Sequence, residues 1–474
     1  MSDFEPVIGL EVHCQLRTRT KLFCGCATGF GAEANTQVCP VCLGLPGVLP
    51  VTNGRAIELA LRMAIATGGR VRAHSRFARK NYFYPDLPKG YQISQFDEPL
   101  VDGGVVEFEH DGALRKIGLV RIHVEDDAGK SFHLEGHPTS LVDFNRAGMP
   151  LIEVVSQPEL RSPEEAAEYL RAMRTLVRFL DVCDGNMDEG SLRCDANVSV
   201  RPRGAPLGTR VEIKNMNSFR HVERALRFEI DRQIAAIGRG EKILQQTRLW
   251  DTERGVTEPM RSKEEAHDYR YFPDPDLPPI VVTDAMLDAV RRAMPELPRA
   301  RRERFVAGGL SPYDAGVLCA ERELADYFEG VVRHGADAKK AANFIMTEVL
   351  SRLADAREAA AAPVAPAALA ELLALQEAGT ISGKIAKDVF SKMWDSGKGA
   401  RAIVEAEGLV QVRDAAAIEE VCRRVIDAGP KEADSYRAGK TKVFGFFVGQ
   451  VMKETHGKAD PALVNEILKK LLTL

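Results

Sequence analysis

The sequence lacks the features of a secreted or membrane-spanning protein. Its first residues, MSDFEPVIGLEVH, contain no basic stretch followed by an apolar core, so they predict no secretory signal. No apolar run approaches the roughly 20 residues that a helix needs to cross a bilayer. Cysteines number nine, which is odd, and most are scattered, which argues against a disulfide framework. We therefore expect a cytoplasmic protein.

A surplus of positive charge is also missing. The 474 residues carry a formal net charge of −4, whereas free-standing nucleic-acid-binding proteins are usually basic, because neutralising phosphates drives their affinity. Any binding of RNA must therefore use local patches or shape. The sequence contains no GxxxxGK[ST] motif, so it predicts no nucleotide site of the P-loop kind.

Length and composition predict a folded chain of several domains. Hydrophobic residues make up 45% and charged residues 28%, an ordinary globular balance. The proline-rich stretch 273–279 separates a region of short alternating segments from one with apolar residues at helical spacing. A second boundary is expected near residues 395–399. We expect three domains, and their predicted bounds are residues 1–293, 294–400 and 401–474.

Two serines predict the starts of helices in the first region. Ser162 is followed by Pro163 and, three residues on, by Glu165, which is the pattern of a capped helix start. Ser218 precedes a segment with apolar residues at helical spacing.

Four segments alternate between apolar and polar residues with a period of two, which predicts strands over 9–15, 119–125, 193–201 and 210–214. Their polar positions include Glu11, His13, Gln15, Arg121, His123, Glu125, Arg193, Asp195, Asn197, Glu212 and Lys214. For one strand, a solvated sheet face explains such a pattern. Four strands rich in carboxylates, histidine and arginine favour a magnesium and phosphate site instead.

Two loops are candidates to complete this site. Residues 79–85 place two cations beside three aromatic rings, which suits phosphate binding and base stacking. Residues 143–150 predict a tight polar turn. For both loops, a packed turn with solvated charges is an equal alternative.

Four cysteines have the spacing of a metal site. Cys24-x-Cys26 and Cys39-x-x-Cys42 are separated by twelve residues, and two such knuckles bring four thiolates around a tetrahedral zinc ion. Four protein ligands leave no open position, so the zinc is expected to be structural. The other five cysteines have no partner at ligand spacing and are expected in the core.

The last part of the chain is mildly basic. Residues 431–458 contain six lysines and arginines against three acidic residues, with the apolar run 443–449 among them. A helical domain with a solvated basic face explains this, and on charge alone it is the favoured interpretation. The alternative is contact with an RNA backbone, for which Lys440 and Lys442 are candidates.

Seven ordered motifs together resemble one family. They are VIGLEVH at 7–13, CPVCLGLPG at 39–47, YFYPDLPKGYQ at 82–92, HVEDDAGK at 123–130, DFNRAGMP at 143–150, RCDANVS at 193–199 and EIKNMNS at 212–218. This series is similar to the B subunits of the heterotrimeric tRNA-dependent amidotransferases (the GatB/GatE family). The resemblance extends over essentially the whole chain, including residues 440–449.

The resemblance implies an α+β fold. The first domain would be a cradle whose antiparallel sheet is similar to glutamine synthetase and the guanidino kinases, with the zinc knuckle at 24–42. An all-helical domain and a small helical tail of the YqeY type would follow.

The resemblance also implies a reaction and partners. An amidase A subunit releases ammonia from glutamine, and a small C subunit wraps the other two. The B subunit uses ATP and Mg²⁺ to phosphorylate the side-chain carboxylate of Glu-tRNA(Gln) or Asp-tRNA(Asn), and ammonia then displaces the phosphate.

Side-chain chemistry and strand facing then assign residues to these roles. We expect Glu11, His13, Glu125, Asp195 and Glu212 to bind magnesium and act in catalysis. For phosphate or substrate contacts we expect the set Lys80, Arg193, Asn197 and Lys214.

Two other functions compete with this one. In the first, the chain only holds tRNA, but a pure RNA platform needs cations and stacking groups, whereas carboxylates repel phosphates unless metal is bound. A free-standing ligase that takes a free amino acid is a weaker alternative, because a tail domain with a basic segment argues against it.

Overall fold

The chain folds into two compact units. The computed structural model describes residues 4–133, 139–260, 269–410, 415–455 and 458–473. An amino-terminal unit comprises Met1–Leu297, and a carboxy-terminal unit comprises Pro298–Leu474.

The amino-terminal unit contains the strands and four helices. Its described strands are β1 (Phe4–Gln15), β2 (Arg70–Val71), β3 (His74–Ser75), β4 (Ala78–Asn81), β5 (Tyr91–Ser94), β6 (Val101–Asp102), β7 (Val105–His110), β8 (Ala113–Asp126), β9 (Lys130–His133), β10 (Ser140–Asp143), β11 (Pro150–Ser156), β12 (Leu192–Pro202), β13 (Val211–Lys214), β14 (Gln246–Asp251), β15 (Val256–Pro259), β16 (Phe272–Pro273) and β17 (Ile280–Val281). Its described helices are α1 (Gly54–Thr67), α2 (Pro163–Phe179), α3 (Phe219–Gly238) and α4 (Asp284–Arg292).

One large sheet organises this unit. The strands lie in the order β15-β14-β13-β12-β1-β11-β8-β6-β2, and β7 pairs with β8 beside this path. Neighbours are antiparallel except β13 and β14, which run parallel. All four predicted strands are confirmed, the last beginning at Val211 rather than Arg210.

The alternation of residues gives the sheet two different faces. Leu10, Val12 and Cys14 of β1 are buried with Ile122 of β8 and Ala196 of β12 in one hydrophobic cluster. Helix α3 packs against β12, and α1 packs against β8 and β11, so helices cover this apolar face. The polar residues between these positions therefore share the opposite face.

Capping residues start the long helices as predicted. The Ser162 hydroxyl accepts a hydrogen bond from the Glu165 N–H at the start of α2. The Ser218 hydroxyl accepts one from the His221 N–H at the start of α3. Each cap satisfies an N–H group that the first helical turn leaves without a partner.

The carboxy-terminal unit is helical throughout its described residues. Its α-helices are α5 (Pro298–Ala307), α6 (Pro312–Leu318), α7 (Arg322–Arg333), α8 (Ala338–Phe344), α9 (Pro366–Glu377), α10 (Gly383–Ser396), α11 (Ala400–Ala406), α12 (Ala415–Ala428), α13 (Pro430–Arg437), α14 (Phe444–Glu454) and α15 (Pro461–Thr473). A π-helical turn at Ile345–Val349 and 3₁₀ turns at Leu350–Arg352, Ala356–Ala361 and Thr441–Val443 complete them.

Two hydrophobic clusters lie inside this second unit. One joins Phe305 through Val404, and the other joins Ile418 through Leu472. Lys440 and Lys442, the lysines predicted to contact RNA, are exposed at the short 3₁₀ turn Thr441–Val443. Of the helices in the described parts of the chain, none combines the length and the apolar character needed to cross a membrane.

Candidate active site and metal centre

Strand register brings the predicted site residues onto one polar face. His13 of β1 lies between Arg193 of β12 and Glu153 of β11. Glu153 in turn lies opposite His123 of β8. Four neighbouring strands therefore present charged side chains in one row across the sheet.

His13, Glu125 and Glu153 form a compact group of possible metal ligands. One ligand atom from each lies within 4.8 Å of the others. The His13 Nε2 atom is 3.5 Å from a Glu153 oxygen and 3.7 Å from a Glu125 oxygen. Imidazole nitrogen and carboxylate oxygens are suitable donors for a divalent cation.

His123 packs beneath this group and is buried. Its Nε2 atom is 3.1 Å from Glu153 and 3.4 Å from Glu125. Burial lowers the pKa of His123, but the charge of Glu153 and hydrogen bonds to both carboxylates raise it to about 9. Burial raises the pKa of Glu153, but the charge and hydrogen bond of His123, together with His13, hold it well below its usual range. Both carboxylates are thus kept ionised by their histidine partners.

The other three predicted metal ligands lie along the same face but outside the compact group. Glu11 is directly opposite Asp195 in the register of β1 and β12. The Lys214 Nζ atom is 3.4 Å from Asp195 and 3.3 Å from Glu212. Glu11 accepts a hydrogen bond of 2.9 Å from the Asn197 amide. Lys214 and Asn197, predicted to contact phosphate or substrate, therefore contact carboxylates of this second group.

Negative charge accumulates around Glu11. Burial raises the pKa of Glu11, and the charges of Glu153, Glu212 and Asp195 raise it further. A cation bound on this face would relieve that repulsion, so the electrostatics agree with the chemistry of the donors.

Two predicted cations lie at the edges of the acidic groups. The Lys80 Nζ atom, on β4, is 4.8 Å from the centre of the Tyr269 ring. Burial lowers the pKa of Lys80, but Tyr271 and the charge of Glu125 raise it above its usual range. A guanidinium nitrogen of Arg193 donates to Asp127 at 2.7 Å. Both side chains therefore carry positive charge beside the acidic face.

Sequence reasoning missed Glu153 as a ligand candidate. Strand β11 reads PLIEVVS, which is apolar except for this glutamate, so it shows no polar alternation. A lone carboxylate in an apolar strand was the available signal. The 143–150 loop, by contrast, lies beside the site, because Arg146 is 3.4 Å from Asp127.

The four cysteines of the predicted zinc knuckle do converge. Their sulfur atoms all lie within 4.8 Å of one another, as four thiolates around one tetrahedral ion must. Hydrogen bonding with Cys24 lowers the pKa of Cys42 to about 4, and the Cys39 N–H and the charge of Lys21 act in the same direction. This arrangement is compatible with a structural metal. The remaining cysteines are buried, as predicted.

Comparison with known proteins gives the same family over nearly the whole chain. Residues 6–288 match the model of the GatB/GatE catalytic domain, and residues 326–472 match that of the GatB domain. The curated relatives include the B subunit of the aspartyl/glutamyl-tRNA(Asn/Gln) amidotransferase of Prosthecochloris aestuarii, 55% identical over 99% of this chain and 98% of the relative. The counterpart from Solidesulfovibrio magneticus is 54% identical over the full length of both chains, and that from Geobacter sulfurreducens is 55% identical over 99% of each.

Two family matches that together span most of the chain, and relatives more than half identical over their full length, carry the assignment. The chain belongs to the family of the B subunits of aspartyl/glutamyl-tRNA(Asn/Gln) amidotransferases, which are ligases.

Proposed function

We propose that this chain activates the side-chain carboxylate of a misacylated tRNA by phosphorylating it with ATP. The substrates are Glu-tRNA(Gln), Asp-tRNA(Asn) or both. A carboxylate oxygen attacks the γ-phosphorus, ADP leaves, and an acyl phosphate forms. Ammonia then attacks the acyl carbon and phosphate departs, which leaves the amide.

The observation that carries this proposal is the acidic face with cations at its edges. His13, Glu125 and Glu153 offer nitrogen and oxygen donors within 4.8 Å of one another. These three would hold Mg²⁺, and Glu11, Asp195 and Glu212 would complete the acidic surroundings. When bound, the ion would neutralise charge on the phosphate oxygens.

The basic residues act on the phosphates and the acceptor. Arg193 presents a planar guanidinium, held on one side by Asp127, and Lys80 and Lys214 present ammonium groups. Such cations stabilise the charge of a transferring phosphoryl group, provided that they are fixed in advance. Asn197 and Glu11, joined by a hydrogen bond, would orient the acceptor carboxylate.

The proposed partners follow from the family. The relatives are named as the B component of an amidotransferase with several subunits, so an amidase A subunit would supply ammonia from glutamine and a small C subunit would complete a cytoplasmic heterotrimer. We assign residues 1–293 to a cradle domain of the kind in glutamine synthetase and the guanidino kinases. Residues 294–400 would form the helical domain and residues 401–474 the YqeY-like tail. The four cysteines would hold a structural zinc ion.

The test replaces a single charge in the complex. Glu125→Gln keeps the shape of the side chain but removes the negative charge, so tRNA-dependent ATP cleavage should fall at least about 100-fold. Glutaminase activity should remain. The assay follows ADP release with each misacylated tRNA in turn.

Glu107→Gln is the matched control, because Glu107 lies on β7 outside the polar face and pairs with Lys116. Its ATP cleavage should equal that of the wild type. Full transamidation by Glu125→Gln would refute the proposed site, and ATP cleavage by a free amino acid in place of tRNA would favour a free-standing ligase.

A further inference from the structure

The 143–150 loop is hydrogen-bonded to the segment that joins the two cysteine pairs. The Asn35 N–H donates to Asp143 at 3.1 Å, and the Asn35 side chain accepts from the Phe144 N–H at 2.8 Å. Asn145 accepts from the Gln37 N–H at 2.8 Å and donates to the Glu33 carbonyl at 2.7 Å. These bonds involve only residues between Cys26 and Cys39, so the position of the loop depends on the fold of that segment.

A fully buried lysine makes a second connection between the cysteines and the loop. Lys21 has 0% of its surface exposed. Its Nζ atom is 3.5 Å from the Cys42 sulfur and 3.3 Å from the Phe144 carbonyl oxygen. Among the described residues, no carboxylate lies within ion-pair distance of this ammonium group.

A buried ammonium group without a carboxylate partner is costly unless another negative charge compensates it. The sulfur of Cys42 is the nearest candidate. Four thiolates around one Zn²⁺ carry a net charge of about −2, and groups that contact metal ligands tune the binding of the metal. The ammonium of Lys21 and the cysteine centre would therefore stabilise each other.

The other side of the loop holds the residues that orient Arg193. The Gly148 N–H donates to the Asp127 carbonyl at 2.8 Å, and the Asp127 N–H donates to the Met149 carbonyl at 2.9 Å. The Arg146 side chain lies 3.4 Å from the Asp127 carboxylate. That same carboxylate accepts the hydrogen bond from Arg193. The loop thus lies between the cysteine centre and the polar face.

We infer that Lys21 is the counter-ion of the four-cysteine centre, and that metal binding there holds the 143–150 loop, Asp127 and Arg193 in position. Lys21 is in this sense a positioning residue. The inference rests on the zinc site proposed above, but not on the proposed phosphoryl transfer.

The first experiment uses the unaltered full-length chain. Amide hydrogen exchange is measured before and after a chelator removes zinc, and the zinc content is determined in both samples. Zinc removal should speed exchange of residues 144–149 by about tenfold or more, because their bonds to residues 33–37 are released. The β7–β8 hairpin of the same unit, residues 105–118, should exchange as before.

Each result is decisive. Unchanged exchange at residues 144–149 in a zinc-free sample would overturn the coupling. One zinc per chain at the outset supports the metal site, and protein that never contained zinc would overturn both the site and this inference. Failed phosphoryl transfer with the expected exchange pattern would leave the inference standing.

The second experiment tests the charge of Lys21. Lys21→Met should weaken zinc binding about tenfold or more in competition with a chelator, because it removes the counter-ion but keeps most of the volume. Lys21→Arg keeps the charge and should bind zinc within about threefold of the wild type. Lys116→Met, at an exposed position far from the cysteines in sequence, is the control and should bind as the wild type does.

Equal zinc affinity in Lys21→Met and the wild type would exclude the counter-ion role. If Lys21→Met does not fold, the exchange experiment still decides the coupling, since it needs no variant. Rescue by Lys21→Arg would then show that the charge, rather than the packing, matters.

Discussion

Among single residues, Glu153 joins the two histidines of the acidic group. Its carboxylate is 3.5 Å from His13 and 3.1 Å from His123. We expect Glu153→Gln to raise the Mg²⁺ concentration needed for half-maximal ATP cleavage by about tenfold or more, since an amide is a weaker ligand than a carboxylate. A magnesium titration at saturating ATP and tRNA measures this shift.

Glu107→Gln again serves as the control for that titration and should show the wild-type magnesium dependence. An unchanged dependence in Glu153→Gln would remove Glu153 from the ligand set and leave His13 and Glu125 without their third partner.

Two buried tyrosines allow a matched test of hydrogen bonding in the core. The Tyr169 hydroxyl is buried and has no hydrogen-bond partner among the described residues, whereas the Tyr327 hydroxyl donates to the Val364 carbonyl at 2.7 Å. Tyr169→Phe should leave the free energy of unfolding unchanged or raise it by about 1 kcal/mol. Tyr327→Phe should lower it by about 1–2 kcal/mol, because a buried carbonyl then loses its donor.

Thermal unfolding of the two variants checks this pair. Equal destabilisation by both substitutions would mean that the Tyr169 hydroxyl has a partner of comparable strength.

The sequence predicted which residues share the polar face, but not which of them touch. Alternation alone places Glu11 and His13 on one face, because successive strand residues point to opposite sides. Which carboxylate meets His13 depends on the register of β11, and no residue of β1 encodes that register. This is why Glu153 was missed, and why Asp195 and Glu212, although on the right face, pair with Lys214 instead of His13.

At the level of elements, helix α2 tests how much a single cap contributes. The Ser162 hydroxyl accepts from the Glu165 N–H at 3.0 Å, and the Glu165 carboxylate accepts from the Arg161 N–H at 2.6 Å. Ser162→Ala should lower the free energy of unfolding by about 1 kcal/mol, because one N–H of the first turn loses its acceptor. Chemical denaturation measures the change.

Ser162→Asp is the matched control, because it retains an acceptor and adds a favourable charge at the helix start. It should be as stable as the wild type within about 0.5 kcal/mol. A loss in Ser162→Asp equal to that in Ser162→Ala would show that the cap itself is not responsible.

Strands were predictable only where one face is polar. Strand β1 begins at Phe4, five residues before the predicted start, and Val7, Ile8, Gly9 and Leu10 are all buried. Pro158 lies against Gly9 and Leu160 pairs with Ile8, so both faces are covered there and the alternation disappears. Apolar strands such as β11 give the same featureless pattern for the same reason.

In the molecule as a whole, the polar face depends on bringing together strands that are distant in sequence. Residues 11, 125, 153, 195 and 212 come from five strands of one sheet, and the order of those strands separates sequence neighbours such as β12 and β11 by β1. Long-range pairing of this kind leaves no local sequence signal, so the family resemblance carried the prediction of the architecture further than the residue patterns did.

Charge distribution also belongs to this scale, because a chain of net charge −4 has to bind tRNA through local cations. Lys440 and Lys442 are exposed in the carboxy-terminal unit, and we propose that they contact tRNA phosphates. The double variant Lys440→Ala, Lys442→Ala should bind tRNA more weakly, and the slope of log affinity against log salt should fall by up to about 2, since each phosphate contact contributes about 1. Lys116→Ala, on the β7–β8 hairpin, should keep the wild-type slope. Filter binding at several salt concentrations measures both quantities, and a double variant with the wild-type slope would place the tRNA contacts elsewhere on the chain.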